Sequence, residues 1–175
     1  MRKITISIIC SLLISFSCTH QVDFTTPPEF NLGEDVCLEC GMIISELRFA
    51  ASYVTKDGLP RKFGDIGDMF IFHEKLHENA EIFWVHDYEH DHWIKASGAY
   101  FVISADIHTP MGHGIVAFSD AGRAAQIASE HMVDSYSFED VQKIVNIYHD
   151  KGNSILGLPL HSELSSSEEV LIHKH

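Results

Sequence analysis

Basic residues are scarce in this chain of 175 residues, which contains 12 lysines and arginines against 25 aspartates and glutamates. The resulting formal net charge of −13, with histidine neutral, repels phosphate backbones, so we expect no nucleic-acid partner. Two motifs are also absent from the sequence: the Gly-x-Gly-x-x-Gly nucleotide loop and the Gly-x-Ser-x-Gly turn of serine hydrolases. The sequence therefore gives no sign of these enzyme classes.

Long apolar runs are also missing, apart from Ile4–Phe16, which follows the charged residues Arg2 and Lys3. This run is shorter than the roughly 20 residues that cross a bilayer comfortably. A charged start followed by a short apolar stretch is typical of an export signal, which we place at residues 1–17. Cys18 follows directly, and we expect it to carry a lipid that anchors the exported protein to the bacterial membrane, facing the periplasm. Simple cleavage or a retained anchor remains the alternative.

Cysteine is rare, and two of the four cysteines, Cys10 and Cys18, belong to the predicted signal and lipidation site. Cys37 and Cys40 are then the thiols left to the domain. In an exported protein, a close pair of this kind is a short disulfide, a redox couple or a pair of metal ligands. A disulfide closing so short a loop would restrict the unfolded chain very little, so a purely stabilising role is weakly motivated.

Strand-like and helical patterns alternate along the rest of the chain in an order that occurs twice. We predict an α+β fold made of two tandem β-β-α-β units with small antiparallel sheets, followed by a C-terminal helix. The first unit spans 35–90 and contains the Cys-x-x-Cys-Gly-Met motif, and the second spans 91–150 together with the final helix. A polar tether at 18–34 precedes them, and a flexible tail rich in serine and glutamate, 151–175, follows.

The two units also share a local pattern, because "KFGDIGDMF" (62–70) resembles "AFSDAGRAA" (117–125). Both segments place Phe-x-Asp where a strand leads into a helix. We expect Ser119 to cap the helix of the second unit, and Ser137 to cap the last helix with Asp140 in its first turn.

The segment "CLECGM" combines two thiols with a thioether, and such soft ligands select Cu(I) over hard cations. If the segment is extended, Cys40 and Met42 point the same way, so that one ion contacts both. Gly41 between them leaves the backbone free to bend. The alternative for Met42 is a place in the core, where methionine is common.

A second soft ligand is predicted in the loop "HTPMGHG", where Met111 lies between Pro110 and Gly112. A methionine in a turn is not positioned by helical core packing, so its thioether is available as a ligand. His113 adds an imidazole two positions later, and both groups suit copper. The alternative is that Met111 fills a gap under a buried loop.

Three histidines cluster in "HDYEHDHW": His86, His90 and His92. Together with the neighbouring acidic groups, they could bind zinc or Cu(II). The segment reads better as a polar, solvated connector between the two units.

The motifs "CGMII", "RFAA" and "TPMGHGIVAF" together resemble the NosL family of membrane-tethered copper chaperones, which serve the assembly of nitrous oxide reductase. The resemblance covers about residues 35–135. It implies Cu(I) binding through Cys40 and Met111, with Met42 as a further thioether. Cys37 departs from members with a single cysteine in this motif, and it is either a second thiolate or a disulfide partner of Cys40.

The expected function is therefore that of a binding protein and not of an enzyme. It would hold one Cu(I), with His113 as an exchange ligand, and pass the ion to a copper-accepting apo-enzyme and its assembly machinery. Two alternatives stay open at this point: a Cys-x-x-Cys thiol oxidoreductase, and a zinc-binding lipoprotein with four ligands drawn from the cysteines and histidines.

Overall fold

The computed structural model describes residues 23–150, and side chains are described as far as residue 147. The predicted signal at 1–17, the lipidation site Cys18 and the tail at 151–175 lie outside this part of the chain. Within it, no helix is both long enough and apolar enough to cross a bilayer.

The first unit is a β-β-α-β arrangement whose sheet gains a fourth strand. Its antiparallel sheet has the order β2-β1-β3-β4, with α1 between β2 and β3 in the chain. The elements are β1 (Ala51–Thr55), β2 (Pro60–Phe63), α1 (Ile66–Leu76), β3 (Ala80–His86) and β4 (Trp93–Lys95). The predicted boundary at residue 91 assigns β4 to the second unit. The chain instead reverses through 87–92, so that Trp93 pairs with His86 and extends the first sheet.

The second unit repeats the order with a smaller antiparallel sheet, β6-β5-β7. Its elements, followed by the last helix, are β5 (Tyr100–Ile103), β6 (Ile115–Phe118), α2 (Ala121–Glu130), β7 (Ser135–Tyr136) and α3 (Phe138–Asp150). The predicted α+β class, with two small antiparallel sheets and a C-terminal helix, is confirmed.

One apolar core joins the two units. Phe138, at the start of α3, packs its ring against Phe70 of α1, Phe83 of β3 and Phe101 of β5, at centroid distances of 5.5, 5.1 and 6.4 Å. Burying aromatic side chains from both units in one cluster stabilises them together. The relative position of the two units is therefore set by packing, which matters for a site that draws residues from both.

The domain begins earlier than the predicted tether allowed. Phe30 packs its ring against Trp93 with centroids 4.8 Å apart, and Gly33 donates its N–H to Ile44 O at 2.9 Å. The end of the 18–34 segment therefore packs on the first unit, because Phe30 has an apolar partner there.

The Phe-x-Asp repeat marks both helix starts. Asp65 caps α1 by accepting from Gly67 N at 2.9 Å, and Asp120 caps α2 by accepting from Arg123 N at 2.7 Å. The prediction that Ser119 caps α2 is wrong, since the cap lies one residue later. Aspartate and serine are about equally good caps, and the sequence alone does not choose between neighbours.

The cap of α3 is as predicted. Ser137 Oγ accepts from Asp140 N at 3.2 Å, while Asp140 Oδ2 accepts from Ser137 Oγ at 2.7 Å. This reciprocal pair stabilises the first turn of the helix that carries Phe138.

The ion pair between Arg61 and Glu78, beside the first sheet, makes the stability of the fold depend on pH. Glu78 accepts from the Tyr53 hydroxyl at 2.5 Å and from Arg61 Nε at 2.9 Å, and Arg61 holds the pKa of Glu78 down at about 2. Because this value lies below the ordinary 4.5, the carboxylate contributes fully above about pH 4.5, and its contribution is lost as the pH falls towards 2.

We expect Glu78→Gln to lower the free energy of unfolding at pH 7 by about 1–3 kcal/mol, the range for hydrogen bonds to charged groups. The difference from wild type should shrink at pH 3, as measured by urea unfolding at both values. Glu81→Gln, at an exposed position on β3 three residues later, should change neither value. If Glu78→Gln lowers the free energy of unfolding equally at both pH values, the ionised Glu78 carboxylate is not the stabilising group.

Candidate metal site

The segment around the two cysteines is a tight hairpin and not an extended strand. Val36 bridges Ile43, and Cys37 N donates to Met42 O at 2.8 Å across the hairpin. Gly41 closes the turn by donating to Cys37 O at 2.9 Å, with a φ of +75° that favours glycine. The segment is therefore not extended, as the expectation that Cys40 and Met42 point the same way required, and the turn itself brings the sulfur-bearing side chains together.

Both cysteines are free thiols that meet a carboxylate. Cys37 is 2 % exposed and donates its thiol hydrogen to Asp68 Oδ2 at 3.1 Å. One ligand atom each from Cys37, Cys40 and Asp68 lies within 4.8 Å of the others. Among residues 23–150, this trio is the one group of three or more histidine, cysteine or acidic side chains close enough to hold a metal ion.

Asp68 is not among the ligands predicted from the sequence. It lies in the first turn of α1, three residues after the cap Asp65, where an acidic residue is ordinarily explained by the helix dipole. Its burial is the feature that sets it apart, since it is 2 % exposed and faces the cysteine hairpin. The pattern "GDIGD" offered a weak signal, because two aspartates bracket a glycine at the start of a helix.

That glycine, Gly67, makes room for a residue of the second unit. A Cβ added to Gly67 would lie 2.5 Å from Cβ of His113, which real atoms do not tolerate. His113 therefore packs directly on the backbone of α1, and its Nε2 hydrogen-bonds Asp68 Oδ1 at 3.0 Å. The structure places His113 behind the carboxylate of Asp68.

Asp68 and His113 each favour the charged form of the other. Burial alone would raise the pKa of Asp68, but hydrogen bonds from His113 and the two thiols bring it below its ordinary value. Burial likewise opposes protonation of His113, yet Asp68 raises its pKa above the usual value. A carboxylate with one oxygen fixed by His113 keeps the other directed at the thiols of Cys37 and Cys40.

The loop that carries Met111 is held by the other aspartate of α1. Fully buried Asp65 accepts from Thr109 Oγ1 at 2.6 Å and from Met111 N at 3.0 Å through its Oδ2. Thr109 Oγ1 in turn accepts from Gly114 N at 3.1 Å, which closes the loop on itself. The first unit therefore fixes the position of a loop of the second unit.

These contacts bring the predicted sulfur ligands to one cavity of about 200 Å³. Its walls are formed by Cys37, Cys40, Met42, Ile43, Ile44, Ser45, Glu46, Gly64, Asp68, Pro110 and Met111. Met42 is 45 % exposed and Met111 is 39 % exposed, so neither is a core residue. A metal ion in this cavity would meet side chains from both units.

The thiols are protonated in the absence of a cation. Burial raises the pKa of Cys37, and burial together with the nearby Asp68 carboxylate raises the pKa of Cys40 to about 12. Thiol redox enzymes need a lowered pKa, so this setting does not favour disulfide chemistry. A metal ion that binds here displaces the thiol protons.

The histidine cluster lies elsewhere and surrounds a buried acid. Asp87, 1 % exposed, accepts from Ser119 N and from His90 N, at 2.8 and 2.9 Å, and pairs with His90 Nδ1 at 3.1 Å. His86 directs Nδ1 to Asp87 O at 2.9 Å. His86, His90 and His92 belong to no metal-capable group within the described part of the chain. The segment links β3 to β4 of the first sheet, and His86 and Asp87 are buried, so the prediction of a solvated connector between the two units is wrong.

The match to known families includes every residue of this site. The family model described as NosL matches residues 31–145, which is more than half of the chain. The chain belongs to the NosL family. Among solved structures, the crystal structure of the copper chaperone NosL from Shewanella denitrificans has the same fold, with a TM-score of 0.57 at 24 % sequence identity. The alignment covers 65 % of this chain and 96 % of that NosL chain. No curated protein sequence matches this chain.

Proposed function

We propose that this NosL-family protein is a copper chaperone that holds one Cu(I) in the cavity between its two units. The ligands are the Cys40 thiolate and the thioethers of Met42 and Met111, with Cys37 as a second thiolate. The observation that carries the proposal is the cavity itself, where thiols and thioethers from distant parts of the chain line one solvent-accessible space. Kinship with a protein described as a copper chaperone supports it.

The donor set suits Cu(I) chemically. Thiolate and thioether are soft ligands that select Cu(I), and the carboxylates nearby are poor ligands for it. Because both thioethers are partly exposed, an incoming ligand of a recipient protein can bond to copper before Cys40 leaves. Exchange of this kind allows tight binding without slow release, which a carrier needs. We assign His113 to fixing Asp68 and not to copper directly, since its Nε2 is already hydrogen-bonded.

The protein acts as a carrier and not as an enzyme. Raised thiol pKa values argue against redox turnover. We propose that copper passes to the apo-form of nitrous oxide reductase and its assembly machinery, from an exported position held at the membrane by lipid on Cys18. Family membership supports this destination.

Anaerobic titration of the reduced protein with Cu(I), in competition with a chromogenic Cu(I) chelator, tests the binding step. We expect one Cu(I) per chain to be withdrawn from the chelator. Failure to compete with the chelator would refute the proposed function. Delivery is tested separately, by measuring the copper content of nitrous oxide reductase made in a host that lacks this protein. An unchanged content would contradict the destination but not the binding.

A further inference from the structure

The cavity between the two units is larger than one metal ion needs. Its volume of about 200 Å³ is several times the share of one water molecule in the liquid, which is about 30 Å³. Two of its lining residues, Met42 and Ile43, are 45 % and 60 % exposed, so the cavity opens to solvent beside them. A Cu(I) ion held by the sulfur ligands therefore leaves room for one more group that enters from outside.

One carboxylate at this cavity has no partner. The lining residues include two acids, Asp68 and Glu46. Asp68 is engaged by His113, whereas Glu46 makes no hydrogen bond or ion pair with any other residue of the described part of the chain. Glu46 precedes the short 3₁₀ turn at 47–49, but its side chain does not cap that turn. The Glu46 carboxylate is thus available to accept a hydrogen bond from a group in the cavity.

The chemistry around the ion restricts what the entering group can be. Thiolate, thioether and imidazole are the side-chain ligands that suit Cu(I). A further thiolate would bring negative charge beside the cysteine ligands and the two carboxylates, which repel it. A thioether has no hydrogen to donate to Glu46. Neutral imidazole meets both conditions, since one ring nitrogen has a lone pair for copper and the other carries an N–H.

We infer, on the basis of the proposed function, that the cavity admits a histidine imidazole of the recipient as the entering ligand of Cu(I), and that Glu46 selects it. One ring nitrogen bonds to copper through its lone pair, while the N–H of the other donates to the Glu46 carboxylate, and no proton leaves the ring. Histidines bound to metals commonly donate their second ring nitrogen to a carboxylate in this way. Glu46 is then a specificity-determining residue that touches the incoming ligand and not the ion.

Two small ligands test the selection. The reduced protein is loaded anaerobically with Cu(I) and titrated with imidazole or with 1-methylimidazole, which has the same coordinating nitrogen but no N–H, while backbone amide NMR shifts report binding. We expect wild type to bind imidazole about 5–10-fold more tightly, the net value of one hydrogen bond. Glu46→Leu keeps the bulk without the acceptor and should reduce this preference to within about twofold. Glu34→Leu, at an exposed acid outside the cavity, should retain it.

Cu(I) loading is measured first, by chelator competition, and should stay within about threefold of wild type in both variants because neither residue is a ligand. A wild-type protein that does not load Cu(I) would refute the proposed function together with this inference. Normal loading with no preference for imidazole, or a preference that survives in Glu46→Leu, would overturn the inference alone.

A third ligand tests whether the imidazole can belong to a protein. N-acetylhistidine N-methylamide presents the ring as a polypeptide does, and we expect it to bind the Cu(I)-loaded protein within about threefold of imidazole. If imidazole binds and the blocked histidine does not, the cavity does not admit a histidine side chain, and the inference is wrong.

Discussion

Cys40→Ser is expected to lower the affinity for Cu(I) by more than about 100-fold. Loss of a residue that only orients a metal ligand costs about 10–100-fold, and this change removes a ligand itself. Cys40 lines the cavity together with both methionines, and a serine hydroxyl is a hard donor that does not replace the thiolate. The substitution is nearly isosteric and the residue is only partly buried, so the fold should persist. Competition titration against a Cu(I) chelator measures the change.

His92→Ala is the matched control for this result. His92 has a metal-capable side chain that is 47 % exposed, and it lies in the connector around Asp87, away from the cavity. Its removal should leave Cu(I) affinity within about threefold of wild type. If Cys40→Ser binds Cu(I) like the wild-type protein, or if His92→Ala weakens binding as strongly, the assignment of the site is wrong.

Asp65→Ala is expected to lower Cu(I) affinity by about 10–100-fold, although Asp65 touches no metal. Its carboxylate receives hydrogen bonds from Thr109 Oγ1 and Met111 N, and these bonds fix the loop of the second unit against α1. Without them the Met111 thioether is no longer held at the cavity. The variant also loses a helix cap, which costs about 1 kcal/mol of stability by itself.

Two variants distinguish the role of Asp65 in holding the Met111 loop from its role as the cap of α1. Asp120→Ala removes the equivalent cap of α2, which lies away from the cavity, and should leave Cu(I) affinity within about threefold. Asp65→Asn keeps one oxygen acceptor and a good cap, so its affinity should fall between wild type and Asp65→Ala. Equal Cu(I) affinities for folded Asp65→Ala and Asp120→Ala would contradict the role of Asp65 in positioning Met111.

Much of the fold follows from local patterns. Period-two alternation and helical spacing each identify one element at a time, and the two β-β-α-β units are built from such elements. The sheet to which β4 belongs is not a local property. Trp93 pairs with His86 because the chain reverses through 87–92, and that reversal depends on the buried Asp87 and its hydrogen bond from Ser119, far along the chain.

The candidate site likewise contains residues that the sequence suggests and one that only the structure reveals. Cys40, Met42 and Met111 can be proposed as ligands from the sequence, because thiol and thioether groups in short, glycine-containing motifs suit a soft metal ion. Asp68 cannot, because an acidic residue in the first turn of a helix is usually explained by the helix dipole. Asp68 is recognised as part of the candidate site because it lies opposite the cysteine hairpin and beside His113, and only the three-dimensional structure shows these contacts.

The central claim is that copper binds between the two units, with sulfur ligands from both. X-ray absorption at the copper edge of the Cu(I)-loaded protein tests it most directly, comparing wild type with Met111→Leu and with Met132→Leu, whose methionine is 84 % exposed and outside the cavity. We predict a shell dominated by sulfur that loses one scatterer in Met111→Leu and is unchanged in Met132→Leu. A shell dominated by nitrogen or oxygen, or identical spectra for Met111→Leu and wild type, would contradict the account.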